Sequence, residues 1–175
     1  MKNTYKKKLG ILGGSFDPPH NGHLKITIEA KRKFNLDKIY WVVTKKNPFK
    51  KKSQYNLDKR IILSKKIIQK KKFIQVKYFE DKIRSNRTYK LIEFLKKKYP
   101  KYDIFFIMGA DSLVNFHKWY KWKEVSNNCK ILVFDRFGYK EKLRKSISYK
   151  KLNKESLKVV NFKKVNISSS KLRKI

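Results

Sequence analysis

The sequence predicts an α/β fold, a three-layer sandwich with a mostly parallel central sheet, and three observations predict it. Largely apolar runs at residues 9–12, 39–43, 104–108 and, after Lys130, within 130–134 have the length of buried strands and are too short for helices. Between them lie longer segments in which apolar residues recur at helical spacing and lysines occupy the other positions. The first run ends in GILGGSFDPPHNGHL, residues 10–24, where a glycine pair, two prolines and two histidines form the pattern of a phosphate-handling loop between a strand and a helix.

Taken in order, residues 9–12 read as a buried strand, after which Gly13 and Gly14 are expected to allow a tight turn and close approach of backbone to a ligand. Pro18 and Pro19 stiffen the rest of the loop and keep it out of helix. A helix starts at Gly22 or His23 with Asn21 as its N-cap, and Leu24, Ile28 and Phe34 supply its apolar side. His23 then projects from the first turn, where unpaired N–H groups and the helix dipole favour phosphate. Residues 39–43, rich in β-branched and aromatic side chains, are the second strand. It runs into TKKNPFKKK, which reads either as a solvated loop or as a basic lip for a polyphosphate.

Residues 56–70 form a helix with Leu57, Ile61 and Ile68 towards the core, and residues 73–76 a shorter strand. The next helix buries Leu91, Ile92 and Leu95 and is stopped by Pro100. Residues 104–108 have the continuous apolar character of a central parallel strand and deliver Gly109, Ala110, Asp111 and Ser112 at its end. In FHKWYKW, residues 116–122, His117 reads as a packing residue or a ligand contact; Trp119 and Tyr120 can stack on a flat ring or pack, and Trp122 can anchor the segment. Residues 130–134 are another strand, closed by DRFG. Residues 139–154 read as a charged helix lying on the outside, and 157–160 as the last strand. In the closing KKVNISSSKLRKI, three serines before KLRK fit a capped helix start able to bind phosphate, or a simple low-complexity run.

Composition narrows the classes. A chain of 175 residues supports one substantial core, and twelve Phe and ten Tyr argue against disorder in spite of the charge. The 48 Lys and Arg against 13 Asp and Glu give a net charge of +35, which invites a polyanion or nucleic-acid binding module as the rival to an enzyme. The lysines are scattered, with no basic tail, zinc-finger spacing or RNP-type aromatic motif, so nucleic acid is not expected as the physiological partner. One coherent basic face would favour the rival; an even spread would not. The lone Cys129, in CKILVF, reads as a buried residue of a reduced cytoplasmic protein, and no stretch has transmembrane length.

Chemistry concentrates on His20 and His23. A metal reading lacks a convincing third ligand, and no Ser/His/Asp set is imposed by the spacing. The pair can instead donate hydrogen bonds to a phosphoryl group, and transfer between two bound phosphates can proceed by positioning and charge stabilisation alone. The glycines form neither GxGxxG nor GxxxxGK, which disfavours a dinucleotide-binding oxidoreductase and a P-loop enzyme.

The motifs resemble the nucleotidylyltransferase superfamily, whose signatures are a GGxFDPxHxGH-type loop and an ISSxxxR-type segment near the C-terminus; here they read GGSFDPPHNGH at 13–23 and ISSSKLR at 167–173. NPFK at 47–50, Thr88, GADSL at 109–113, FHKWYKW and DRFG extend the resemblance and make it closest to the bacterial nicotinate-nucleotide adenylyltransferases. The resemblance implies a Rossmann-like fold in one domain over 1–175, with a phosphate-contacting segment at 165–175. It implies ATP and nicotinate mononucleotide as substrates, and nicotinate adenine dinucleotide and pyrophosphate as products, in NAD biosynthesis. By the same resemblance, His20 and His23 hold the phosphates through the transition state, and Gly13, Gly14, Ser15, Phe16, Lys50, Ser169, Ser170 and Arg173 enclose them. Gly109 and Asp111 match the adenosine side; Thr88, Trp119 and Tyr120 match the pyridine side. Mg2+ is expected to arrive on ATP with no dedicated protein ligands, and the protein to be a monomer or homodimer. Three departures stand out: Phe49 before Lys50, NRT at 86–88 in place of the usual SYT, and an end two residues after Arg173, where a further helix is the family's habit. Nicotinamide mononucleotide and phosphopantetheine remain the alternative acceptors.

Overall fold

A computed structural model describes residues 5–46, 53–135 and 139–162 of the chain. Six strands form one sheet: β1 (Lys7–Gly14), β2 (Lys38–Val43), β3 (Ile74–Lys77), β4 (Tyr102–Gly109), β5 (Lys130–Asp135) and β6 (Leu157–Asn161). Their order is β3-β2-β1-β4-β5-β6 and every pairing is parallel, the arrangement of a Rossmann-like α/β fold. The winding reverses between β1 and β4, whose register sets Leu12 beside Ile107, so the glycine-bearing ends of both strands emerge together. Ligands of open parallel sheets bind at such a switch point.

Alternation along each buried strand sends side chains to two cores. Leu9, Ile11, Tyr40, Val42, Phe106 and Met108 pack on one face with Ile83 of helix α3 (Glu80–Ile83), Leu91, Ile92 and Leu95 of α4 (Thr88–Lys98), Leu113 of α5 (Ala110–Val114) and Val125 of α6 (Trp122–Asn128). Leu12, Ile39, Trp41, Phe105, Ile107 and Phe134 face the other way, onto Ile26 and Ala30 of α1 (Asn21–Phe34) and Ile68 of α2 (Leu57–Ile68). Gly10 makes the second packing possible, because a Cβ there would stand 2.9 Å from both Leu36 and Ile39.

Four local expectations need correction. His20, rather than Asn21, caps α1. The apolar stripe of α1 is centred on Ile26 and Ala30, with Ile28 turned towards solvent, since 3.6-residue periodicity puts 26 and 30 on one face and 28 off it. Gly13 and Gly14 belong to β1, and the residue that turns the chain in the left-handed region is Phe16, at φ 48°. Residues 139–154 form two short helices, α7 (Lys140–Lys145) and α8 (Ile147–Lys151), divided where Ser146 adopts extended backbone to cap the second; Leu143, Ser148 and Leu152 anchor them in the core.

Candidate active site

The loop leaving β1 is shaped by burial. Phe16 is 2% exposed, its ring stacked on Trp41 at 5.0 Å between centroids, and this inward anchoring offsets a left-handed conformation that costs on the order of 1–3 kcal/mol outside glycine. Phe16 can therefore offer a ligand its backbone, its ring being part of the core. Beyond the prolines, two histidines open α1 by capping each other. The Gly22 N–H donates to His20 Nδ1 at 3.1 Å, and the His20 N–H donates to His23 Nδ1 at 3.2 Å. Both Nδ1 atoms accept, so each neutral imidazole carries its proton on Nε2. The rings lie 3.8 Å apart, and His23 also contacts Phe16 at 4.9 Å. Two imidazolium charges at that separation repel unless an anion lies against them. Thr27 ties the arrangement to the sheet: its hydroxyl donates to the His23 carbonyl at 2.7 Å and accepts the Trp41 indole N–H at 2.8 Å.

A buried arginine, which sequence reasoning missed, braces this loop from behind. Arg60, on α2, is 1% exposed. Its Nη1 donates to the Ser15 carbonyl at 2.6 Å and the Thr44 carbonyl at 2.7 Å, Nη2 to Lys45 at 2.9 Å and Nε to Tyr55 at 3.1 Å. Burial lowers its pKa from the ordinary guanidinium value, while the Asp17 and Glu80 carboxylates act in the opposite direction. Asp17, itself buried, accepts the N–H groups of Gln54 and Tyr55 at 2.8 and 3.0 Å. Glu80 accepts the Lys45 N–H at 3.2 Å, and burial raises its carboxyl pKa. One signal was available: seven arginines among 48 basic residues make each arginine an exception to the chain's lysine habit.

Among the described residues, three buried oxygens have no hydrogen-bond partner: Ser15 Oγ, Thr44 Oγ1 and Asp135 Oδ1. They stand at the carboxyl ends of β1, β2 and β5, the same edge of the sheet as the histidines. An orphaned buried polar group costs about 1–3 kcal/mol, so each of these three oxygens favours a polar partner beyond the described residues.

The expected residues fall into several groups. Gly13, Gly14, Ser15 and Gly109 meet at the switch point, and Asp111 sits half-buried in the first turn of α5. Thr88 opens α4 in a small cleft next to the β2 exit, with Val42, Phe79 and Leu91 on its apolar side and Thr44, Glu80 and Arg87 on its polar side. Trp119 and Tyr120 diverge: Trp119 packs edge-on against Phe106 and Phe116, whereas Tyr120 is 47% exposed, with the Tyr89 ring at 6.2 Å and the Arg87 guanidinium at 5.3 Å. His117 is half-buried; its backbone N–H donates to Ser148 Oγ at 2.9 Å and its Nδ1 lies 3.5 Å from the same oxygen. Cys129 is buried beneath α6, which pushes its thiol up to about 12. Lys50, Ser169, Ser170 and Arg173 lie outside the described residues.

A parallel Rossmann-like sheet with a histidine-capped glycine loop at its switch point defines a nucleotidyltransferase, and the comparisons with known proteins agree. The cytidylyltransferase-like family model matches residues 11–175, and the chain belongs to that family. Within it the chain belongs with the nicotinate-nucleotide adenylyltransferases. It is 56% identical over 173 residues to the Pelagibacter ubique protein named "Probable nicotinate-nucleotide adenylyltransferase", covering 99% of this chain and 96% of that one. An Agrobacterium fabrum protein of the same name is 37% identical over 74% of this chain and 70% of its own length. In fold the chain is similar to Plasmodium falciparum nicotinic acid mononucleotide adenylyltransferase complexed with NaAD, at a TM-score of 0.78 and 23% identity, covering 96% of this chain and 83% of that one. Among the described residues no helix is long and apolar enough to cross a membrane.

Proposed function

We propose that the chain is a single cytoplasmic adenylyltransferase domain that joins ATP to nicotinate mononucleotide. The 5′-phosphate oxygen of the mononucleotide attacks the α-phosphorus of ATP in line; the bond to the bridging oxygen breaks, and pyrophosphate leaves. The observation that carries this reading is the reciprocal His20–His23 cap at the switch point, in a chain 56% identical to a protein named for that reaction. With Nδ1 of each ring engaged in the cap, the Nε2–H groups supply the donors to phosphate oxygens, where they offset the charge that builds up as the α-phosphorus becomes five-coordinate. The backbone from Gly13 to Phe16 approaches the phosphates. Lys50, Ser169, Ser170 and Arg173 are, by their match to the family motifs, further phosphate-binding residues, the last three in the phosphate-contacting segment at 165–175.

Gly109 and Asp111 serve the adenosine, and Thr88, Trp119 and Tyr120 the pyridine nucleotide. Trp119 is half-buried against Phe106 and Phe116, and Tyr120, beside Arg87, is the more exposed of the two rings and offers more surface for stacking. Mg2+ would enter on the nucleotide's phosphates. The deciding experiment is pyrophosphate release from ATP with nicotinate mononucleotide, nicotinamide mononucleotide and phosphopantetheine in parallel. Release with nicotinate mononucleotide is expected to exceed the others; none with either pyridine nucleotide would sink the proposal.

A further inference from the structure

The geometry points to Arg60 as a positioning residue of the phosphate loop, a clamp that sets the direction of the loop's N–H groups and ties both feet of the basic segment at 45–55 to it. The inference rests on the proposed function only for the identity of the anion.

In a planar trans peptide the C=O of one residue and the N–H of the next point in opposite directions. Arg60 Nη1 holds the Ser15 carbonyl at 2.6 Å, and the Thr44 N–H holds the Gly14 carbonyl at 3.0 Å. Both carbonyls are thereby drawn towards β2 and α2, which turns the N–H groups of Ser15 and Phe16 away from them. Phe16 then enters the left-handed region, the backbone shape in which successive N–H groups line an anion-binding concavity.

The same guanidinium spans two other pieces of chain. It accepts nothing and donates to the carbonyls of Thr44 and Lys45, where the basic segment leaves β2, and of Tyr55, where it rejoins α2. Asp17 repeats the connection from the phosphate loop, receiving the N–H groups of Gln54 and Tyr55. The exit and the return of the lysine-rich segment are therefore fixed to Ser15 and Asp17 by two buried, oppositely charged side chains. A lysine cannot reproduce the arrangement, because its single ammonium lacks the planar fork that reaches three segments at once.

The test compares the parent protein with R60K and R60M, each checked for fold by near-ultraviolet circular dichroism and thermal unfolding, with binding expressed per folded molecule. The ligands are a non-hydrolysable ATP analogue, and separately nicotinate mononucleotide. Loss of a charge-assisted hydrogen bond costs on the order of ten- to a hundredfold in an equilibrium constant. R60M is therefore expected to bind the ATP analogue about a hundredfold more weakly and R60K about tenfold, with a smaller loss for the mononucleotide, whose cleft beside Thr88 is bordered by Thr44. A folded R60K or R60M that binds the analogue as the parent does would overturn the assignment. So would an R60K that cannot fold, which would make Arg60 a residue of global stability. A parent protein that binds the analogue but turns over no pyridine nucleotide would defeat the proposed function and leave the clamp standing.

Discussion

The two edges of the sheet are both rich in positive charge, but they use it differently. At the carboxyl edge the exposed Lys45 and Lys46 stand beside basic groups that are locked: Arg60 is buried with four carbonyl partners, and His20 and His23 are committed to each other through the helix cap. At the amino edge they are numerous and solvated. Lys31, Arg32 and Lys33 end α1, and Lys96, Lys97 and Lys98 end α4, where cations offset the negative pole of the helix dipole. Others there lie over rings, as Lys38 does on Tyr99 and Tyr102, each at 4.4 Å. Net charge is silent about which edge performs chemistry. Burial and fixed direction distinguish them, since a cation that can swing in water stabilises a developing charge far less than one already aimed.

That contrast can be broken or sharpened by substitution. The largest effect is expected at the carboxyl edge: His23→Ala should lower kcat for adenylyl transfer by about 10²–10³ while the protein stays folded, the range seen when one preorganised donor is removed. Unchanged turnover in a steady-state assay would place the histidines outside the chemistry. Next, Asp17→Asn removes the charge that receives two N–H groups and faces Arg60; urea unfolding should report a loss of about 1–3 kcal/mol. A loss below the error of the measurement would mean that the clamp does not need its acidic partner.

At the amino edge, replacing Lys96, Lys97 and Lys98 together by Gln should cost about 1 kcal/mol, from the helix dipole and from the Lys96–Asn128 hydrogen bond, and leave turnover within about twofold. A tenfold change in turnover would show that the far lysines act on the site. The smallest effect concerns Cys129. With its thiol pushed up to about 12, the reactive thiolate is scarce at pH 8, so iodoacetamide should leave the native protein unmodified and label it only in denaturant. Rapid labelling of the folded chain would mean that the wall over Cys129 opens.

Much of the fold was readable because it depends on neighbours in sequence. The runs at 39–43, 104–108 and 130–134 fall inside β2, β4 and β5, and the α2 and α4 helices follow the apolar spacing that announced them. The candidate loop was readable for the same reason, as a contiguous motif. The choice of His20 as cap depended on a ring–ring contact that competes with the better intrinsic capper beside it. Helical periodicity continued through Ser146 on paper; an extended residue that buries Leu143 and Leu152 interrupts it in the protein.

By itself the sequence determined the alternation of strand and helix, the glycine and histidine loop and the family to which the chain belongs, since each is written in residues near one another. Tertiary structure alone decided the strand order that brings Gly14 beside the β4 exit, the inward turn of Phe16, and the role of Arg60. On paper that arginine is one of four basic residues in its helix; in the fold it meets a carbonyl 45 residues away. The reason is physical: periodicity and propensity act over a turn or two of chain, whereas a buried guanidinium takes its meaning from whichever distant backbone groups must be satisfied once water is gone.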